Sequence, residues 1–209
     1  MSDETVNILL FLAQGFEDLE AATVLAVFGW THYREETDKA LVTTCAFHDI
    51  VKGRFGMEVR PDILFSQIDP KRYRALVIPG GFHSHGYDEA YDPRIHRLVR
   101  EIHAHGGYIA TMCVGILPVA DSGVLNGKKA TTYPYSRNRD NAGRLIAGGA
   151  TADDGPVVID DRIISCGGPG TAMEVAFLLM DRLIGPQTVR DVRHYMLFRD
   201  GEPAMFLSD

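Results

Sequence analysis

Cys113, Glu20 and the pair Gly80-Gly81 are the residues of this sequence that could do chemistry together. Cys113 closes the apolar run Tyr108-Ile109-Ala110-Thr111-Met112, and a second apolar stretch, Val114-Gly115-Ile116-Leu117, begins directly after it. Gly106-Gly107 break the chain before the run, and Gly115 lets a strand and a helix approach closely. The pattern predicts strand, sharp turn with Cys113 at its apex, then helix, which is the logic of a nucleophile elbow. A thiol over a helix N-terminus is expected to be held toward thiolate, with a lowered pKa. A buried, unreactive core cysteine fits the same stretch, because free cysteine is among the most buried residue types.

Gly80-Gly81 follow the apolar run Arg74-Ala75-Leu76-Val77-Ile78-Pro79. Paired glycines at a strand end can present bare N–H groups to a ligand oxygen, and with the N–H of Val114 they would form an oxyanion site; a plain tight turn accounts for them equally. Glu17 and Glu20 lie three apart on a predicted helix and share a face, so one can enter a pocket while the other stays solvated. A carboxyl beside a thiolate raises the thiol's pKa when ionised and lowers it when protonated and donating. A partly buried Glu20 would be protonated and could move protons. An ordinary acid in the first turn of a helix satisfies the spacing as well.

The elements that must position these groups read as alternating strands and helices. Val6 to Leu12, Ala40 to Phe47, Arg74 to Pro79 and the cysteine run are strands without polar alternation, as buried parallel strands are. Helices are predicted over Glu17 to Trp30, from Pro93 to His105, after Cys113, and from Pro169 to Ile184, with a last helical stretch and the apolar tail Ala204 to Leu207 behind them. Ile50-Val51 and Met57 to Val59 suggest a hairpin; Ala130 to Tyr133 suggests a short strand; Val157 to Asp160 and Ile163 to Cys166 suggest two strands turning at Asp160-Asp161. This order predicts one α/β domain with a doubly wound, mostly parallel sheet between helices, its site beyond the carboxyl ends of the strands.

Composition limits the function. The chain has 209 residues, 45% hydrophobic and 23% charged, enough for a sizeable core. A net charge of -7 argues against a general nucleic-acid binder. No run of about 18 apolar residues is present, so no membrane helix is expected. The acidic start Met1-Ser2-Asp3-Glu4 is unlike a signal peptide, and a cytoplasmic protein is the default expectation. Cys45, Cys113 and Cys166 do not form a disulfide framework or a structural zinc pattern. Cys45 and Cys166 fall inside strands and read as inert core thiols. His83 and His85 read as a polar loop facing solvent, without an evident third metal ligand. His103 and His105 suit a helix end, and Arg137 and Arg139 read as solvated surface.

Five pieces in order resemble the ThiJ/PfpI superfamily, nearest its DJ-one (ThiJ-like) branch. They are Gly15-Phe16-Glu17-Asp18-Leu19-Glu20, Ile78-Pro79-Gly80-Gly81, Ala110-Thr111-Met112-Cys113-Val114-Gly115, Ala130-Thr131-Thr132-Tyr133-Pro134, and Gly168-Pro169-Gly170-Thr171-Ala172-Met173-Glu174. The resemblance implies a flavodoxin-like sandwich, commonly a homodimer, with Cys113 as reactive cysteine, Glu20 as its carboxyl partner, and Gly81 and Val114 as oxyanion donors. Two departures matter. Val114 stands where the protease-like branch has histidine, which disfavours a peptidase. Tyr133 stands where the DJ-one branch often has histidine, and a phenol with a pKa of about 10 is a poor base near neutrality.

The resemblance points to 2-oxoaldehydes such as methylglyoxal, and to a glyoxalase- or deglycase-like enzyme needing no metal or organic cofactor. Tyr133 would orient the substrate. The alternative is a non-enzymatic oxidative-stress sensor in which Cys113 oxidises to sulfenic and then sulfinic acid. A cysteine hydrolase or hydratase is a weaker third reading. The expected partners are a small aldehyde and a second copy of the chain, with neither nucleic acid nor membrane.

Overall fold

A computed structural model describes residues 5–33, 40–136 and 138–198. Met1 to Glu4, Arg137 and the tail Ala204 to Leu207 therefore lie outside the described residues. In chain order the elements are β1 (Val6–Phe11), α1 (Asp18–Gly29), β2 (Ala40–Ala46), β3 (Val51–Lys52), β4 (Glu58–Val59), β5 (Ile63–Leu64), β6 (Ala75–Ile78), α2 (Pro93–Ala104), β7 (Tyr108–Met112), α3 (Ile116–Asp121), β8 (Lys129–Ala130), α4 (Asn141–Ala147), β9 (Thr151–Ala152), β10 (Val157–Asp160), β11 (Ile163–Cys166), α5 (Ala172–Leu183) and α6 (Pro186–Tyr195).

The main sheet runs β10-β11-β7-β6-β1-β2-β5, parallel throughout except for the hairpin β10-β11. Both faces of β1 are buried. Ile8 and Leu10 enter one core, with residues of α1 and α5, while Leu9 and Phe11 enter the other, with residues of α2 and α3. That double burial is why the central strands lack polar alternation. The expected doubly wound sandwich is the observed one.

The differences have local causes. After β8, the predicted strand to Tyr133 stops at Ala130. The Thr131 N–H donates to Ser165 Oγ and Thr132 Oγ1 donates to the Cys113 carbonyl, so side chains replace a strand partner. Pro169–Thr171 forms a separate 3-10 turn, and α5 begins at Ala172. The two-residue β5 and the short α4 were too brief to carry a periodic signal. Asp140 caps α4, accepting from the Gly143 N–H at 2.7 Å.

β7 lies between β6 and β11, with Ile78 opposite Thr111 and Cys166 opposite Met112, so its carboxyl end is fixed on both sides. Beyond it the chain must pass close under β6: a Cβ on Gly115 would lie 2.3 Å from the Ile78 carbonyl oxygen and 2.9 Å from that of Pro79. These contacts are with the backbone of Ile78-Pro79, which cannot swing aside as a flexible side chain would. Gly115→Ala is expected to destabilise the protein by roughly 2–4 kcal/mol in urea unfolding, and a change below about 0.5 kcal/mol would refute this contact as a constraint.

Candidate functional site

Cys113 has φ of 55°, in the left-handed region that non-glycine residues seldom occupy. Such strain persists only when the surroundings over-determine it. Here β7 fixes the chain before Cys113, the crowded Gly115 fixes it after, and Thr132 Oγ1 holds the Cys113 carbonyl at 3.1 Å. The predicted elbow is therefore present. The helix that follows is short: a 3-10 turn, Cys113–Gly115, leads into the six residues of α3.

The three acids at the start of α1 have separate tasks. Glu17 is the N-cap, its carboxylate accepting from the Glu20 N–H at 2.7 Å. Asp18 accepts from the N–H groups of Phe55 and Met57 and pins the β3–β4 hairpin to the helix. Glu20 is fully buried and reaches across to β6, where its Oε2 accepts from the Gly80 N–H at 2.6 Å. Neither glutamate is solvated, contrary to the expectation that one would be, because capping and the Gly80 bond draw both inward.

Burial pushes the Glu20 carboxyl up to about 8; the Gly80 N–H opposes the shift and the Glu17 charge adds to it. Glu20 is thus protonated at neutral pH. The position a Cβ of Gly80 would take lies 3.1 Å from Cys113 Sγ and 3.1 Å from Glu20 Oε2, so carboxyl and thiol converge on the space that glycine leaves. Glu20 Oε1 is buried without a hydrogen-bond partner among the described residues.

The Cys113 thiol is not lowered, as the sequence led us to expect, but raised. Burial is the main cause and the Glu20 charge the next; the Val114 N–H opposes them. A six-residue α3 has little dipole to set against desolvation. The Glu20 contribution vanishes when Glu20 is protonated, and a protonated carboxyl stabilises a thiolate by donation.

The predicted donors divide. Gly80's N–H is committed to Glu20, which removes it from the oxyanion set. Gly81 sits in an isolated bridge to Phe16, flanked by the bonds Glu17 N–H to Gly80 O and Phe82 N–H to Gly15 O, and its own N–H is unspent among the described residues. The Val114 N–H faces the Cys113 sulfur. Tyr133 is half-buried, its ring edge-on to Tyr135 at 5.8 Å and its carbonyl held by Asn141. Both tyrosines line a cavity of about 610 Å3 shared with Thr132, Asp153, Gly168 and Pro169. Cys113 and Glu20 do not line that cavity; Thr132 connects it to the elbow.

Two readings of single residues need correction or extension, those of His83 and Cys166. His83 is not a solvent-facing loop residue: its side chain is 14% exposed, Nδ1 bonds Asp88 at 2.6 Å, and the ring stacks on Tyr91. The stretch folds as two 3-10 turns that tuck Tyr87 and Ala90 into the core and carry His83 with them. His85 bonds Ser84 and is exposed, so the two histidines do not converge. Cys45 is an inert core thiol as expected, raised by burial. Cys166 is buried too, yet it stands opposite Met112, beside the elbow. Thr132 and Cys166 were not singled out as site neighbours; only the strand register brings them there. Arg139 is exposed, as expected.

A parallel doubly wound sheet with a strained cysteine elbow and a buried glutamate opposite a Gly-Gly strand end defines a structural class. The chain belongs to the DJ-1/PfpI family, whose model matches residues 6–182. It is 30% identical over 193 residues to the protein dj-1beta of Drosophila melanogaster, covering 90% of this chain and 95% of that one. It is 27% identical over 165 residues to a protein named deglycase PfpI from Pyrococcus furiosus, covering 79% of this chain and 92% of that one. The crystal structure of Drosophila melanogaster DJ-1beta superposes with a TM-score of 0.79 at 26% identity, over 93% of this chain and 98% of that one. No helix among the described residues is long and apolar enough to cross a membrane.

Glu20 makes stability pH-dependent with a defined sign. Its folded pKa is raised from 4.5 to about 8, so its contribution is intact below about pH 4.5 and is lost as pH rises toward 8. Glu20→Gln, which cannot ionise, should match the wild type near pH 4.5 and exceed it by on the order of 5 kcal/mol at most near pH 8. Denaturant titrations at the two pH values read this, and equal differences at both would show that Glu20 is not buried as an acid.

Proposed function

We propose that the protein is a cofactor-independent enzyme that acts on 2-oxoaldehydes such as methylglyoxal through Cys113, in the manner of a glyoxalase or deglycase. The observation that carries this reading is the buried Glu20, held by the Gly80 N–H, protonated at neutral pH and converging with Cys113 on one small space. Relatives named deglycases support the same class.

The Cys113 thiol releases its proton to solvent, and the thiolate adds to the aldehyde carbon. A carbon–sulfur bond forms, and the carbonyl oxygen takes a proton from Glu20, giving a hemithioacetal. The Glu20 carboxylate then takes the proton from the former aldehyde carbon and returns it to the neighbouring carbon through an enediol. The product is a thioester of a 2-hydroxy acid, which water cleaves to the free acid and the thiol. The N–H groups of Gly81 and Val114 supply donors for the oxyanionic states. Tyr133 orients the substrate by its hydroxyl without acting as base. One acid–base group suffices, so histidine is not required at position 133 or 114.

The active form in this reading is a homodimer. Leu19, Phe55 and Phe82 are exposed at this edge of the sheet, the latter two with rings 5.5 Å apart, and would be covered by a second copy. Sedimentation should give twice the chain mass of 23.1 kDa; a single-chain mass would refute the dimer.

The decisive assay is methylglyoxal consumption by reduced protein, with lactate as product. Cys113→Ser should lose turnover by roughly a thousandfold or more, and Glu20→Gln by about 100- to 10,000-fold. No turnover by the wild type, or turnover retained in Cys113→Ser, would sink the assignment.

A further inference from the structure

Cys166 is a second thiol next to the elbow, and the proposed reaction does not use it. It ends β11, in parallel register with Met112, and Cys113 is the next residue along β7. Parallel neighbours stand about 4.8 Å apart and each residue rises about 3.3 Å, which sets the diagonal Cα separation of Cys113 and Cys166 near 6 Å. Disulfides span Cα distances of roughly 4.4–6.8 Å. The left-handed φ of 55° takes Cys113 out of strand alternation: its side chain packs against the second core, while its sulfur converges with Glu20 of α1, the helix on the Cys166 side of the sheet. The Cys113 N–H faces the Cys166 sulfur.

Only the segment after Cys166 has room to shift. The Cys166 thiol donates to the Gly168 carbonyl at 3.4 Å and also meets the Thr171 side chain. Gly167 follows directly, and the nearest atom to a Cβ placed there would be the Thr132 carbonyl oxygen at 3.9 Å. Cys166 is fully buried, so small oxidants and solutes in solvent do not reach it, while Cys113 is only partly covered. The pair is therefore asymmetric: one thiol meets the oxidant and the other waits behind it.

We propose that Cys166 is a resolving thiol, which captures the sulfenic acid of Cys113 in an intramolecular disulfide after attack by a hydroperoxide. In the first step the Cys113 thiolate attacks one peroxide oxygen. A sulfur–oxygen bond forms, the O–O bond breaks, and the leaving alkoxide or hydroxide takes a proton. In the second step Cys166 gives up its proton and attacks Cys113 Sγ. The sulfur–sulfur bond forms and the sulfur–oxygen bond breaks, its oxygen leaving as water with that proton. Two thiols and one hydroperoxide give one disulfide, one alcohol or water, and one further water. The two electrons come from the sulfurs and go to the peroxide.

The consequence is a reversible stop at the disulfide. A sulfenic acid left alone passes to sulfinic acid, which ordinary thiols do not reduce. A disulfide returns to two thiols with any dithiol reductant. Cys113 would thus be shielded from irreversible oxidation by a neighbour lying one strand away. Cys45 lies on β2, opposite Phe11, and serves as an internal control.

The test is independent of whether methylglyoxal is a substrate. Fully reduced protein is given one equivalent of hydrogen peroxide, alkylated, digested without reductant and mapped by mass spectrometry. The expected result is a Cys113-to-Cys166 linked peptide that dithiothreitol reverses, with Cys45 still alkylated. With peroxide in excess of two equivalents, Cys166→Ser should accumulate Cys113 sulfinate at least about tenfold faster than wild type. Wild-type protein that reaches Cys113 sulfinate with Cys166 still a free thiol would overturn the proposal. Should Cys166→Ser not fold, the wild-type map decides by itself.

Discussion

The site depends on an absent side chain. At Gly80 a Cβ would stand 2.5 Å from Cys113 Cβ, 3.1 Å from Cys113 Sγ and 3.1 Å from Glu20 Oε2. Because nothing is there, the end of β6 can donate its N–H to Glu20 while the elbow closes over the same spot. The exchange is energetically specific. A buried carboxyl without a partner costs several kcal/mol if charged. One N–H is enough to hold it but too little to keep it ionised, so it stays a neutral acid.

That neutrality resolves an apparent conflict in the electrostatics. A partly covered thiol beside a carboxylate would be a poor nucleophile, since both burial and like charge disfavour the thiolate. Beside a carboxylic acid the like charge is gone, and such a group is able to donate to a thiolate. When the pair loses one proton, the proton that remains lies on whichever group the chemistry leaves neutral. Their titration belongs to the pair, as it does for other strongly interacting sites.

Much of this was legible in the residues, and the rest was not for identifiable reasons. The long apolar runs gave the strands because both faces of the sheet are buried, and periodicity reports burial. The elbow was legible because a strand ending abruptly at Cys113 and resuming past Gly115 leaves few other turns possible. The direction of the Cys113 pKa was not, because it depends on how far α3 runs and how deeply the thiol sits, and both are tertiary. The solvent-facing reading of His83 failed for the same reason: Tyr87 and Ala90 anchor that loop from the core side. Gly80's role changed because a paired glycine shows where backbone is accessible, not which acceptor reaches it first.

Cys166 shows how much register adds to a list of strands. In sequence it is a thiol inside an apolar run, 53 residues from Cys113 and indistinguishable from Cys45. Parallel pairing of β11 with β7 puts Cys166 beside Met112, whereas pairing of β2 with β1 puts Cys45 beside Phe11. The two thiols have the same burial and the same ordinary chemistry, and only the strand order separates them. Placing β11 between β10 and β7 is what makes one cysteine a neighbour of the strained elbow and leaves the other as packing.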